Sequence, residues 1–307
     1  DLLEDVLANR ATMETIDLIE KTANTIYLSS DCAIGYEAGS MALMAVRGFR
    51  DDFEHHVREH ACGFAENERV PCVAGCPANV DIPGYISLVE AGRYTDAVRL
   101  IRKDNPLPIV CGRVCEHPCE MHCRRGIVDD PLNILALKRY ATDHMEHDYR
   151  PVMAEPTGRR VAVIGGGPAG ISCAYYLALM GHTVTIFEQR KHLGGMLRYG
   201  IPSYRLPRED LDQEIQWILD CGIEVELEHA VDGAELERMR GDFDAVYLAI
   251  GAHNDKKLGL PGEDAEGVVS AVQMLRAIGD GEMPDFSGER VVVIGGGNVA
   301  MDVARSS

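Results

Sequence analysis

The chain has 307 residues, with 49 acidic side chains against 30 Lys and Arg, and a formal net charge of -19 at pH 7. So acidic a surface repels nucleic acid and anionic lipid over most of its area, which excludes both as general partners. The length suffices for two or three domains with proper cores, so the ten cysteines are not needed as staples and are free for chemistry.

From Asp1 to His60 the apolar residues recur at helical spacing, as in Met13, Ile16, Leu18 and Ile19, then Met41, Met44, Val46 and Phe49. This predicts two helices joined by the loop SSDCAIGYEAG. Ala61 to Tyr149 mixes cysteine loops with short helices: two in DIPGYISLVEAGRYTDAVRLIRKDNP, and a longer one beginning near Pro131 in PLNILALKRYATDHMEH. Seven of the ten cysteines lie between Cys62 and Cys123, whereas Cys32, Cys173 and Cys221 stand alone. That clustering marks a metal region. Within it, PLPIVCGRVCEHPCEMHCRRG sets Cys111, Cys115, Cys119 and Cys123 four apart, but Pro118 removes a backbone donor in mid-run. The segment is expected to be loop or broken helix rather than one face of stacked thiols. No signal-peptide pattern opens the chain, and no apolar run approaches the roughly 18 residues that span a bilayer. With unpaired thiols, the expected setting is reducing and cytoplasmic.

After RPVMAEPTGRR the texture changes. The runs VAVI, TVTIF, IEVEL, AVYLAI and VVVI alternate with helical stretches, the pattern of a parallel sheet wrapped by helices. In RRVAVIGGGPAGISCAYYLALMGHTVTIFEQR a strand runs into Gly165, with Gly167 and Gly170 following at the G-x-G-x-x-G spacing, and a second strand ends at Glu188. Gly165 allows the tight turn, Gly167 lets backbone approach a pyrophosphate, Gly170 lets helix and strand pack closely, and Glu188 can accept from a ribose. A lone glycine triplet is weak evidence, but here strand, turn, helix, second strand and acidic end stand at the expected distances. ERVVVIGGGNVAMDVARSS repeats the device with Gly295, Gly297 and Ala300, which implies a second dinucleotide. Because Ser307 falls inside the helix that follows, and the strand tip that separates NAD from NADP lies beyond it, the expectation is a piece of a longer polypeptide, inactive alone.

Two such turns, with LGGMLRYGIPSYRLP after the first and DAVYLAIGA before the second, resemble the two-dinucleotide flavoproteins in which FAD takes hydride from NAD(P)H. PCVAGCPANVDIPGYI followed by CGRVCEHPCEMHCRRG narrows this. From Pro71 to Ser307 the chain resembles the small subunit of NADPH-dependent glutamate synthase, the N-terminal part of dihydropyrimidine dehydrogenase, and the large subunit of the flavin-bifurcating ferredoxin:NADP transhydrogenase. The resemblance places FAD on Gly165, Gly167, Pro168, Ala169 and Gly170, with Glu188, Gly194, Gly195, Met196, Arg205, Val231 and Gly251. It places NAD(P)H on Gly295, Gly297, Asn298 and Val299.

In these relatives two [4Fe-4S] clusters interleave their ligands. Carried over, Cys76, Cys115 and Cys119 serve one, and Cys72 and Cys123 the other. The sequence departs from the pattern twice. HACGFAENERVPC offers only Cys62 where relatives have a C-x-x-C pair, so that cluster lacks a cysteine ligand, takes a nearby histidine, or is absent. Lys138 stands where relatives have a Gln or Glu ligand, and Cys111 is expected to supply the missing thiolate. The first sixty residues resemble the C-terminal helical domain of the NADH-binding flavoprotein subunit of respiratory complex I and related hydrogenases, in which the cysteine matching Cys32 is a cluster ligand.

Cysteine clusters also bind zinc, but thiols beside a flavin-type turn favour iron-sulfur, because a cluster gives the flavin an outlet. Cys173 and Cys221 are expected to pack helices, and His55, His56 and His60 to form a solvated helix face. No hydrolase triad motif or H-E-x-x-H site occurs, and the α/β half has no C-x-x-C of a disulfide reductase. The expected fold is α-helical iron-sulfur domains (1–60 and 61–155) followed by an α/β Rossmann-like FAD-binding domain (156–288), cut at the start of the NAD(P)-binding domain (289–307). The expected function is a flavin-dependent electron-transfer module between NAD(P)H, FAD and [4Fe-4S] clusters, working with partner subunits of a larger hydrogenase, formate dehydrogenase or glutamate synthase-like complex. The alternative is a noncatalytic nucleotide- and cluster-binding assembly subunit.

Overall fold

The computed structural model describes residues 2–60, 70–146 and 149–307. The chain divides at Val70 into two compact units. Among its described residues the first holds four helices: α1 (Leu2–Leu7), α2 (Met13–Ser29), α3 (Ala33–Gly48) and α4 (Arg50–Glu59). Ile16, Ile19 and Val46, with Val6 and Ala11, form its core. The loop expected between the two main helices is much shorter than SSDCAIGYEAG, because α3 already begins at Ala33. Gly39 does not turn the chain. It lies inside α3, where a Cβ would stand 2.6 Å from the Tyr27 backbone nitrogen of α2, so the bare glycine lets two helix backbones touch. Arg50 ties the helices by bonding Asp17, Glu20 and Glu54.

The second unit opens with α5 (Pro71–Ala74), α6 (Ile82–Glu90), α7 (Tyr94–Arg102), α8 (Pro108–Val114), α9 (Pro118–Met121), a 3₁₀ turn at Arg124–Ile127, and α10 (Ile134–His144). Asp81 caps α6 by accepting from Gly84 N at 3.0 Å. Asn133 caps α10 in the same way, so that helix starts at Ile134 and not near Pro131. Val80, Ile82, Tyr85, Val98, Ile101 and Ile134 are among the core residues of this helical half.

The α/β half runs β1 (Arg160–Ile164), α11 (Pro168–Leu179), β2 (Thr183–Phe187), α12 (Met196–Tyr199), α13 (Arg208–Leu219), β3 (Glu224–Glu226), α14 (Gly233–Asp242), β4 (Ala245–Leu248), α15 (Ala271–Gly279) and α16 (Asn298–Ser306). The sheet has the order β3-β2-β1-β4. All pairings are parallel, with Val161 opposite Val184 and Ala245, and Thr185 opposite Glu224. The core strands β1 and β2 read as buried apolar runs, as expected of a sheet covered on both faces. The fifth expected strand, residues 291–294, is not one: no described strand pairs with it, and Val292 and Ile294 are exposed. An apolar run becomes a strand only when a neighbour takes its backbone hydrogen bonds. Among the described residues no helix is long and apolar enough to cross a membrane.

Candidate functional site

β1 delivers the chain to Gly165, whose φ of +108° lies in the left-handed region, and where a side chain would run into the Ala249 carbonyl. Gly165 N donates to Phe187 O at 2.8 Å, carrying the β1–β2 ladder one step further. Pro168 opens α11 with Gly167 as its N-cap and Ala169 in its first turn. A proline there forfeits nothing, since first-turn N–H groups have no helical partner. No side chain caps this end, so its N–H groups and the positive end of the helix dipole remain available to an anion. A Cβ on Gly170 would collide with the Gly165 carbonyl oxygen, whereas one on Gly167 would meet only Gly195 Cα, at 3.7 Å. Gly170 therefore serves packing, and Gly167 keeps a surface clear.

Glu188, 6% exposed at the end of β2, closes on this turn. Its Oε2 accepts from Gly166 N at 2.8 Å and its Oε1 from Arg190 N at 2.9 Å. Each oxygen keeps a lone pair for a hydroxyl. Gly194 N donates to Gly166 O at 2.8 Å, and a Cβ on Gly195 would stand 2.7 Å from Gly167 Cα. The segment leading into Met196 and α12 thus lies backbone to backbone on the glycine turn. Gly251, at φ +67°, follows β4 two residues beyond the Ala249 carbonyl that crowds Gly165. Val231 packs behind β1 with Ala162, Ile164 and Phe187. Arg205 is engaged elsewhere, with Asp302 at 2.7 Å.

In the second turn Gly295 has φ +130°, and Gly297 caps α16 with open space where a side chain would be. Val299 is exposed. Asn298, first residue of α16, reaches back with Nδ2 to Glu116 Oε1 at 3.2 Å, which sets the second turn beside the Cys115–Cys119 loop.

The cysteine run is a broken helix. Cys111 lies in α8, Cys115 caps its C-terminus, Cys119 lies in α9 and Cys123 precedes the 3₁₀ turn, while Cys72 and Cys76 come from α5 and just after it. Burial pushes the Cys119 thiol up to about 11, with Lys138 pulling it down and Cys115 and Cys76 adding to the rise. Burial also raises Cys72, assisted by Cys123, and raises Cys111 against the pull of Lys138 and Asn105. Cys72, Cys76 and Cys119 pack on the core of the helical half, and Cys111 Sγ stands 3.8 Å from Asn105 Oδ1. All six are free thiols, and Cys115 Sγ accepts from His117 N at 3.3 Å, the kind of bond that tunes a cluster sulfur.

Among the described residues no three His, Cys, Asp or Glu side chains converge as a single ion requires. A four-iron cluster makes a different demand, since each thiolate takes its own iron and the sulfurs stand apart. Free thiols from short, separate segments, with Cys72, Cys76 and Cys119 on one core, are a donor set that fits it. Cys62 lies outside the described residues. Cys32 is exposed at the N-cap of α3. Cys173 packs on the α/β core and Cys221 is buried within it. His55 and His60 are exposed, but His56 departs from the expected solvated face, because its Nε2 bonds Val6 O at 3.1 Å.

Two side chains at these sites escaped the sequence reading: Asp302 and Glu214. The latter had a signal. In DLDQEIQWIL, Leu211, Ile215 and Ile218 mark the buried face of α13, and Glu214 falls on that face with 0% exposure.

Three family descriptions match the chain in series. Residues 1–56 match the NADH-ubiquinone oxidoreductase-F iron-sulfur binding region, 51–149 match dihydropyrimidine dehydrogenase domain II with its 4Fe-4S cluster, and 159–306 match pyridine nucleotide-disulphide oxidoreductase. Together with the parallel sheet and its glycine turns, these matches describe two iron-sulfur regions followed by a nucleotide-binding oxidoreductase-type region, and the cofactors that go with them are [4Fe-4S] clusters, FAD and NAD(P)H. The chain is 39% identical over 99% of its length to the NADPH-Fe(3+) oxidoreductase subunit beta of Geobacter sulfurreducens, covering 47% of that protein. It is 42% identical over 77% of its length to the NADP(+)-dependent formate dehydrogenase subunit beta of Moorella thermoacetica, covering 37% of it. To the glutamate synthase [NADPH] small chain of Escherichia coli it is 36% identical over 77% of its length, covering 53% of it. The chain therefore spans about half the length, or less, of the curated relatives it matches.

Proposed function

We propose that the chain is the part of an NADPH-dependent redox subunit in which a nicotinamide, a flavin and iron-sulfur clusters are aligned for electron transfer. The observation that carries this is the meeting of both glycine turns and the cysteine run in one compact unit, with Asn298 of the second turn on Glu116 of the cysteine loop at 3.2 Å. The activities of the relatives favour NADPH over NADH, and their being subunits points to further subunits of a larger complex as partners. In this reading the domains divide at about residues 60, 155 and 288.

FAD exchanges an electron pair with nicotinamide and single electrons with clusters when bound, and the chain's own residues hold and orient. Gly167 and the open end of α11 receive the pyrophosphate, Glu188 accepts from the ribose, and Gly194, Gly195, Met196 and Gly251 flank it. Gly295, Gly297, Asn298 and Val299 receive the second nucleotide. Cys76, Cys111, Cys115 and Cys119 hold one cluster. Cys72 and Cys123 contribute to another, and Cys32 to a third in the first unit. The test is anaerobic: NADPH added to the native complex bleaches flavin absorbance, followed by reduction of the iron-sulfur signal. Bound flavin that NADPH leaves unbleached favours a noncatalytic assembly subunit instead.

A further inference from the structure

The helix that carries Cys111 and Cys115 is held from outside its own domain. α8 has only seven residues and no side-chain cap of its own, because Leu107 occupies the N-cap position. A bare helix start leaves N–H groups without partners. Here Ile109 N donates to Glu214 Oε1 at 3.0 Å and Val110 N to Glu214 Oε2 at 2.8 Å. Glu214 belongs to α13 of the α/β half and is 0% exposed.

Burying a carboxylate is costly unless charge and hydrogen bonds compensate it. Compensation by charge is loose: Arg102 Nη2 stands 3.5 Å from Oε1. Its guanidinium lies over the Trp217 ring at 3.6 Å and donates to Tyr149 Oη at 3.0 Å. A Ser or Asn at position 107 would cap α8 without burying any charge. The feature that only this carboxylate adds, once ionised, is a negative charge next to the thiols, since it bonds the amides of the two residues that precede Cys111. Lys138, of opposite charge, lies on α10, which packs on α8 so closely that a Cβ on Gly112 would stand 3.3 Å from Arg139 Cα.

We propose that Glu214 is a positioning residue for the iron-sulfur ligands of α8: it fixes the helix bearing Cys111 and Cys115 to the α/β half and, opposed by Lys138, sets the reduction potential of the cluster those thiolates hold. This rests on the reading of the cysteine run as cluster-binding. Cluster potentials respond to nearby net charge and to hydrogen bonds on the sulfurs. A negative charge next to a cluster disfavours adding an electron, and a positive charge favours it.

The experiment is a potentiometric titration of the anaerobically purified full-length protein, carried out above the pH range in which Glu214 ionises and read by electron paramagnetic resonance, with iron and sulfide assays alongside. Glu214→Gln keeps the shape and one accepting oxygen but removes the charge, so the cluster's midpoint potential rises. Glu214→Asp keeps the charge, so the potential stays nearer the wild type even where the shorter side chain lowers stability. Lys138→Met shifts it downward. If Glu214→Gln leaves both midpoint and line shape unchanged while only lowering the melting temperature, Glu214 is a structural cap and the proposal is overturned. If Glu214→Gln does not fold, an Asp variant whose cluster matches wild type in potential and spectrum supports it, and one shifted as far as Lys138→Met overturns it. Wild-type protein without iron at the cysteine run would refute the underlying reading, a result separable from an unshifted cluster.

Discussion

Arg205 donates through Nη1 to Asp302 Oδ2 at 2.7 Å, and Tyr204 Oη donates to the other oxygen of the same carboxylate at 2.8 Å. Arg305, one turn along α16, lies over the Tyr204 ring at 4.2 Å. The segment after the first glycine turn is thereby fastened to the helix after the second. Asp302 is 6% exposed, so these donors supply the hydrogen bonds that water would otherwise give its oxygens. Each of Arg205→Ala and Asp302→Ala should cost about 1–3 kcal/mol. Because they break one contact, the double variant should fall short of the sum by about 1 kcal/mol. A denaturation cycle measures this, and strict additivity would show that the pair is not coupled.

The glycines of the first turn make opposite predictions. A methyl on Gly170 has the Gly165 carbonyl in its way, and backbone cannot move aside as a flexible side chain can. Gly170→Ala should therefore lower the melting temperature sharply, at a cost of roughly 1–3 kcal/mol or more. Gly167→Ala meets nothing nearer than 3.7 Å, so the fold should survive while the added methyl occupies the surface proposed for the pyrophosphate. Circular dichroism melts and flavin content after dialysis separate the two outcomes. Unchanged flavin content in Gly167→Ala would remove the turn from the nucleotide site.

This contrast also shows why part of the fold was legible in the sequence and part was not. The first turn could be read because strand, glycines, helix and Glu188 are local and each has a backbone reason to be there. Gly39 was misread because glycine says only that a side chain is unwelcome. Whether a turn or a neighbouring helix is responsible depends on Tyr27, twelve residues away in sequence. The run at 291–294 has the composition of a strand, but composition cannot supply a hydrogen-bonding neighbour. Glu214 did break the apolar face of α13, but its partners lie more than a hundred positions upstream, at a helix start whose missing cap is visible only once the two halves are packed.

Glu188 carries more than a sugar contact, since it already accepts from Gly166 N and Arg190 N. Glu188→Lys replaces the acceptor with a donor-only group, leaves both backbone donors unmatched, and should abolish flavin retention. Glu188→Gln keeps one accepting oxygen and should weaken FAD binding by about tenfold, the equivalent of roughly 1.4 kcal/mol. Flavin fluorescence released against dilution measures this. A Lys variant with its full flavin complement would show that the ribose is held elsewhere.

The last expectation concerns pH. Burial pushes Glu214 up to about 7 from an ordinary 4.5, against the pull of Val110 N, Arg102 and Ile109 N. The folded value lies above the unfolded one, so the stability linked to this group is fully present below about pH 4.5 and is lost as pH rises through about 7, where the buried carboxyl must ionise. A shift of that size is worth on the order of 3 kcal/mol. Glu214→Gln has no proton to lose, so any constant cost of the substitution appears equally at every pH, while this slope disappears. The unfolding free energies of wild type and variant should therefore converge, or cross, between about pH 5 and pH 8, with the variant gaining relative to wild type as pH rises. Urea titrations across that range give the two curves. Parallel curves would mean that the two N–H donors and Arg102 hold Glu214 ionised throughout, with no proton taken up in the folded state.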